Sequence, residues 1–260
     1  MGIRPTDVRA FVSELAAEGL SPGSVRKVYN VLRRLFRAAE ESGVIGRSPC
    51  VGIDLPPLPK KEMRFLTAVE LERLATEIGP RYGPLILTAG YTGLRWSELA
   101  GLKRKRVNIL KRRIDAVETV VEIGGRQVTG PPKTGDRSVT LTKRLAELLD
   151  EHMKEYRDRQ GYVFGAVNGG ALRRSNFMRN RFRPAATRAG VAPLRFHDLR
   201  HTAAALAIAA GAHPMEIKTR LGHASIQTTL NVYGHLFKSL DERLAEALDA
   251  AHREAEGQSR

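Results

Sequence analysis

Four prolines fall within eleven residues, Pro49, Pro56, Pro57 and Pro59, with Lys60-Lys61 directly behind them. No helix or central strand runs easily through such a stretch, because proline offers no amide hydrogen and pushes its predecessor into extended backbone. Residues 49–64 therefore read as a linker that divides the chain. Ahead of it, residues 1–48 have room for two helices; behind it, residues 65–237 are long enough for a cored domain, and 238–260 form a tail.

Before the linker, Val8, Phe11, Val12 and Leu15 share one helical face over residues 6–18, with Thr6 as N-cap and Gly19 just past the end. A second helix opens at Ser21-Pro22 and carries Val25, Val28, Tyr29, Leu32, Leu35 and Phe36 until Gly43 stops it. Two such helices enclose little core, so they read as part of a small helical domain. After the linker, Thr67-Ala68-Val69-Glu70 is a capping box opening a helix to Ile78, and residues 81–93 read as a buried helix. The β-branched runs 113–123 and 137–141, separated by Gly124-Gly125 and by residues 133–136, predict a small antiparallel sheet. Helical patterning returns at about 142–159, 175–189, 197–210, 214–221, 225–233 and 239–255. The expected fold class is mainly α with a small antiparallel β-sheet.

Charge points to the partner. The chain carries 43 Lys and Arg against 28 Asp and Glu, a formal +15, and the excess lies in residues 61–240. A basic surface of this size favours a polyanion, DNA or RNA, because neutralising phosphates releases counterions. No apolar run approaches the roughly 20 residues of a membrane span. One cysteine, Cys50, excludes an internal disulfide and any cysteine-rich zinc site. The opening residues do not read as a secretory leader, so the expected compartment is the cytoplasm.

In His197-Asp198-Leu199-Arg200-His201-Thr202, the two histidines and the arginine lie three and four residues apart, on one helix face. Fixed side chains at the edge of a rigid helix suit catalysis. A zincin-like pair of histidines is one reading, but Asp198 is shorter than the glutamate that motif needs, Arg200 opposes a cation, and no third ligand follows. Local hydrogen bonding alone is the other.

Taken with Thr92-Gly93-Leu94-Arg95-Trp96-Ser97-Glu98-Leu99 before it, and Leu221-Gly222-His223 and Tyr233 after it, this segment resembles the tyrosine recombinases, the phage integrase family. Pro131-Pro132-Lys133-Thr134-Gly135-Asp136-Arg137-Ser138-Val139-Thr140-Leu141 looks like the family's lysine-presenting β-hairpin. The resemblance covers about residues 64–237 and implies a preceding core-binding domain, of which residues 1–48 are the expected part. With Met1-Gly2 almost at the first helix, it also implies either a short member or a fragment lacking an arm-binding region.

The resemblance assigns roles that the chemistry makes intelligible. Arg95 and Arg200 would hold the charge that builds on a phosphodiester under attack, in forked geometry and without a metal. Tyr233 would be the nucleophile and form a 3′-phosphotyrosyl link; tyrosine's ordinary pKa near 10 makes a proton acceptor necessary, and His197 takes that part. Lys133 would protonate the leaving 5′ oxygen, and His223 would hydrogen-bond the phosphate. Glu98 and His201 are supporting. Because the link conserves the bond, no ATP, metal or other cofactor is implied.

The resemblance also implies double-stranded DNA as partner, a monomer in solution that becomes a homotetramer on two duplexes, and accessory DNA-bending or directionality factors. The apolar face Leu240, Leu244, Leu248 and Ala251 would dock on a neighbouring protomer. Candidates for the DNA backbone are Arg26, Lys27, Arg33, Arg34, Lys103, Arg104, Lys105, Arg106, Arg173, Arg174, Arg179 and Arg181. A type IB topoisomerase-like enzyme and a catalytically idle DNA-binding regulator are the alternatives.

Overall fold

A computed structural model describes residues 2–59, 63–237, 245 and 248–253. The chain divides into two compact units, Met1–Glu62 and Met63–Arg260.

The first unit is built on helices α1 (Pro5–Ala17) and α2 (Pro22–Glu41). Helix α1 starts one residue before the expected cap. Pro5 suits the first helical position, and the Asp7 carboxylate accepts the Arg4 amide at 2.8 Å. Val8 and Val12 of α1 bury against Val25 and Tyr29 of α2, and the proline-rich segment completes this small core. Cys50 is buried there with Ile53 and Leu55 beside it, and Tyr29 Oη donates to the Cys50 carbonyl at 3.2 Å. Arg26 Nε donates to the Pro56 carbonyl at 3.1 Å. The segment is extended, as its prolines require, yet packed on the helices, and the division falls between Glu62 and Met63.

In the second unit, Thr67 and Glu70 exchange capping bonds at the start of α3 (Ala68–Ile78), and α4 (Gly83–Thr92) is buried along most of its length. The two lie so close that a Cβ on Gly90 would run into the Leu71 side chain. Gly93, at φ 70°, ends α4 in the left-handed conformation that glycine adopts without strain. A short helix absent from the sequence reading, α5 (Trp96–Gly101), follows at once.

The strands are β1 (Val107–Asn108), β2 (Arg113–Ala116), β3 (Thr119–Ile123), β4 (Arg126–Gly130) and β5 (Arg137–Thr140). They form two small antiparallel sheets, β1-β2-β5 and the β3-β4 hairpin turned at Gly124-Gly125. The run 113–123 thus breaks after Ala116. A Cβ on Gly101 would lie 2.9 Å from the Glu118 carbonyl, so the end of α5 presses on this corner.

Helix α6 (Lys143–Glu155) buries Leu145, Leu149 and Met153. Helix α7 (Arg174–Phe177) runs through a wider turn at Met178–Phe182 into α8 (Arg183–Arg188). Pro184 has no amide to return to the preceding turn, which accounts for the widening. Helices α9 (Asp198–Ala209), α10 (Pro214–Leu221) and α11 (Ile226–Tyr233) close the fold. One large core joins α3, α4, α6 and α8, and a smaller cluster of Ala204, Ile208, Ile217, Leu221 and Tyr233 ties α9, α10 and α11 together. The fold is mainly helical with small antiparallel sheets, as the sequence leads one to expect. Of the proposed docking face, Leu240 and Leu244 lie outside the described residues, whereas Leu248 is helical and exposed. No helix among the described residues is long and apolar enough to cross a membrane.

Candidate active site

Arg95 caps α5. Its amide donates to Glu98 Oε2 at 2.6 Å, and its guanidinium reaches Glu98 Oε1 at 3.1 Å and Thr134 Oγ1 at 3.0 Å. Glu98 is buried and also receives both ends of Arg137, at 2.5 and 2.7 Å. Burial pushes the Glu98 carboxyl up, but the Arg137 and Arg95 bonds and charges outweigh it and carry the group below the ordinary glutamate value.

Arg200 rises from α9 into the interior and is 4% exposed. Its two terminal nitrogens donate at 2.6 Å to the Gly93 carbonyl at the end of α4 and to the Leu221 carbonyl at the end of α10. One guanidinium thereby joins three helix ends. Desolvation, with the charges of Arg95 and Arg137, brings it down to about 10, which leaves it cationic at neutral pH.

Tyr233 closes α11 and is 1% exposed. Its hydroxyl lies 3.0 Å from His201 Nδ1, and its ring stacks parallel to His223 at 6.3 Å between centroids. His223 Nδ1 is 2.9 Å from Thr229 Oγ1. His197 sits edge-on to His201 at 5.0 Å and is exposed at the start of α9, where Asp198 holds the Arg195 amide and side chain. Desolvation together with nearby positive charge pulls His197 below the usual histidine value and takes His201 and His223 to about 4. His201 and His223 are therefore neutral at physiological pH. Burial raises the Tyr233 hydroxyl, and the Arg200 charge opposes it.

The structure therefore brings together Arg95, Glu98, His197, Arg200, His201, His223 and Tyr233. Lys133 makes no hydrogen bond or ion pair with these residues: it is exposed, in the loop between β4 and β5, which belong to different sheets, rather than at a hairpin tip. Its neighbour Thr134 is the residue that meets Arg95. Arg137, Thr229 and Asp198 are site residues that the sequence reading did not name as such. Arg137 stands within the quoted lysine segment, but only its long-range bonds to Glu98 reveal its place. Among the described residues no three His, Cys, Asp or Glu side chains converge as a metal site requires.

Beside the cluster runs an open groove of about 870 Å³, lined by Arg95, His197, Arg174, Arg179, Arg183 and Arg195. Of the backbone candidates, Lys27, Arg33, Arg34, Lys105, Arg106, Arg173, Arg174, Arg179 and Arg181 are exposed. Lys103 is engaged within the fold, 3.2 Å above the Tyr162 ring and bonded to the Gln160 carbonyl. Arg26 holds the extended segment, and one Arg104 nitrogen is buried. Trp96 packs edge-on against Phe196.

A buried tyrosine set among two arginines and two neutral histidines, beside a groove to which arginines contribute, is an arrangement suited to holding a phosphodiester against a hydroxyl. The sequence profile of the phage integrase family matches residues 64–239, and the chain belongs to that family, whose members are site-specific DNA recombinases. The ICEBs1 integrase of Bacillus subtilis (strain 168) is 30% identical over 259 residues, an alignment that spans 94% of this chain and 70% of that protein. A XerC-like tyrosine recombinase of Caldanaerobacter subterraneus is 27% identical, across 95% of this chain and 71% of its own. The fold matches the Tn1549 transposon integrase in complex with a circular intermediate DNA, with a TM-score of 0.80 at 20% identity, over 94% of this chain and 86% of that one.

Proposed function

We propose that this recombinase cleaves and rejoins DNA through a covalent link to Tyr233. The observation that carries the reading is the Tyr233 hydroxyl, bonded to His201 at 3.0 Å inside a cluster that includes two arginines. Tyr233 Oη attacks the scissile phosphorus, and its proton passes to His201 Nδ1, the ring in contact; His197, to which the resemblance gave that part, sits edge-on to His201 and makes no hydrogen bond to the hydroxyl. Charge on the nonbridging oxygens is met by Arg95 and Arg200, and His223 bonds the phosphate. The bond to the 5′ oxygen breaks, and Lys133, on a loop tied to Arg95 through Thr134, supplies the proton. A 5′-hydroxyl from the partner strand then reverses these steps and releases the tyrosine. No metal or ATP enters.

Double-stranded DNA is the substrate of this reading, favoured by the formal charge of +15 and by the DNA held in the Tn1549 integrase structure. Exchange between two duplexes by four protomers, through a Holliday junction and with accessory DNA-bending or directionality factors, is part of the same proposal. So are a monomeric state away from DNA and a cytoplasmic setting in a bacterial or phage-infected cell. A pool of nicked random-sequence duplexes, whose short 5′-hydroxyl fragment escapes after cleavage, tests the reading in EDTA on a denaturing gel. A slow-migrating protein–DNA band that disappears in Tyr233→Phe is expected. Clear binding with no such band would favour an idle DNA-binding protein.

A further inference from the structure

Glu98 is buried with its carboxylate fully committed: one oxygen receives Arg95 and Arg137 guanidinium nitrogens, the other the Arg95 amide and the second Arg137 nitrogen. Two cations share one anion. Arg95 gives Glu98 only a single guanidinium nitrogen, and its side chain stays partly open on the groove, whereas Arg137 gives both terminal nitrogens and is 8% exposed. Arg137 also touches a third part of the site. A Cβ on Gly222, the residue before His223, would lie 2.9 Å from Arg137 Cδ. Its own strand begins three residues after Thr134, the residue that bonds Arg95.

We propose that Arg137 is a positioning residue for Arg95: by taking the bidentate side of Glu98, it leaves Arg95 anchored through one terminal nitrogen, with its Nε and second terminal nitrogen available to grip the scissile phosphate. The physical argument is one of competition. A buried carboxylate must be paired, and a forked guanidinium is its best partner. With Arg137 absent, Arg95 is the cation left within reach, and it turns its fork inward to Glu98 and away from the groove. The inference rests on the strand-transfer reading.

The test uses the full chain and duplexes selected by the Tyr233→Phe protein from a random pool, with the scissile phosphate mapped from the wild-type adduct. Adduct formation is timed in a single turnover for wild type, Arg95→Ala, Arg137→Met and Arg137→Lys, on an ordinary phosphate and on a methylphosphonate, which removes the charge that Arg95 would meet. Arg137→Met is expected to lose about 100-fold on the phosphate, as for loss of one transition-state donor. On the methylphosphonate it should regain most of that loss, as Arg95→Ala should. Arg137→Lys, which keeps the charge without the fork, should fall between the two and be restored in the same way, so the comparison stands if the methionine variant does not fold. Wild-type rates in the arginine variants on the phosphate, or equal losses on both substrates, would overturn the assignment. Absence of a wild-type adduct would instead defeat the strand-transfer reading itself.

Discussion

Arg200 packs the fold with the same atoms that the proposed chemistry would use. Its two terminal nitrogens satisfy the Gly93 and Leu221 carbonyls, so a substitution at this position leaves buried acceptors unpaired as well as removing charge. Arg200→Lys keeps the charge but cannot span both carbonyls. It should lower stability by about 1–3 kcal/mol in urea melts and slow adduct formation by at least about 100-fold. The histidines give a separate prediction. His201 and His223 are held at about 4, below the ordinary histidine value, so the unfolded chain binds more protons than the native one between that value and pH 6.5. Their contribution is fully present above pH 6.5 and is lost as pH falls toward 4. The melting temperature should therefore decline across that window, and the decline should shrink in His201→Gln and His223→Gln; a pH-independent melting temperature would contradict the burial argument.

At the scale of the element, helix ends place the candidate site residues. Arg95 caps α5, His197 precedes α9, Tyr233 ends α11, and Arg200 ties the ends of α4 and α10. Gly93 is central to this, because it turns left-handed and a Cβ there would run into the Leu221 side chain. Gly93→Ala should cost at least about 1–3 kcal/mol through strain and overpacking, and should slow adduct formation beyond what its DNA affinity accounts for. Equilibrium unfolding and a single-turnover assay at saturating DNA separate the two effects. Most helices were legible in the sequence because caps and apolar periodicity are local signals, as Thr67–Glu70 illustrates. What was not legible depends on remote contacts. The strands divide into two sheets at a corner, residues 117–118, where Gly101 packs closely on Glu118, a contact seventeen residues distant in sequence, and α5 is too short for periodicity to reveal. The motif residues around His197 and Tyr233 stand out by spacing; Arg137 does not, since its partner lies 39 positions away.

For the whole molecule, charge is the quantity that acts at a distance. The formal +15 is concentrated in residues 61–240, and arginines on α7, α8 and the turn between them line the groove beside the cluster. DNA affinity should fall steeply with salt: six to ten phosphate contacts correspond to a loss of about 10³–10⁵ between 50 and 200 mM. Arg174→Ala and Arg179→Ala should each reduce the slope of log K against log salt by about one, without changing which sequences are preferred. Fluorescence anisotropy over a salt series measures both. An unchanged slope would remove these arginines from the DNA path. The first unit, with its small core of Val8, Val12, Val25 and Tyr29, depends on the proline-rich segment for closure, a role that its composition disguised as a linker.

The most direct measurement is the identity of the residue that carries DNA. After adduct formation in EDTA, nuclease and trypsin digestion leave the peptide from Leu221 to Lys238, in which Tyr233 is the one tyrosine. Mass spectrometry is expected to find a deoxynucleotide 3′-phosphate on Tyr233, with a free 5′-hydroxyl on the released strand. A nucleotide on any other side chain, or attachment through a 5′-phosphate, would contradict the role given to Tyr233 and to the cluster that surrounds it.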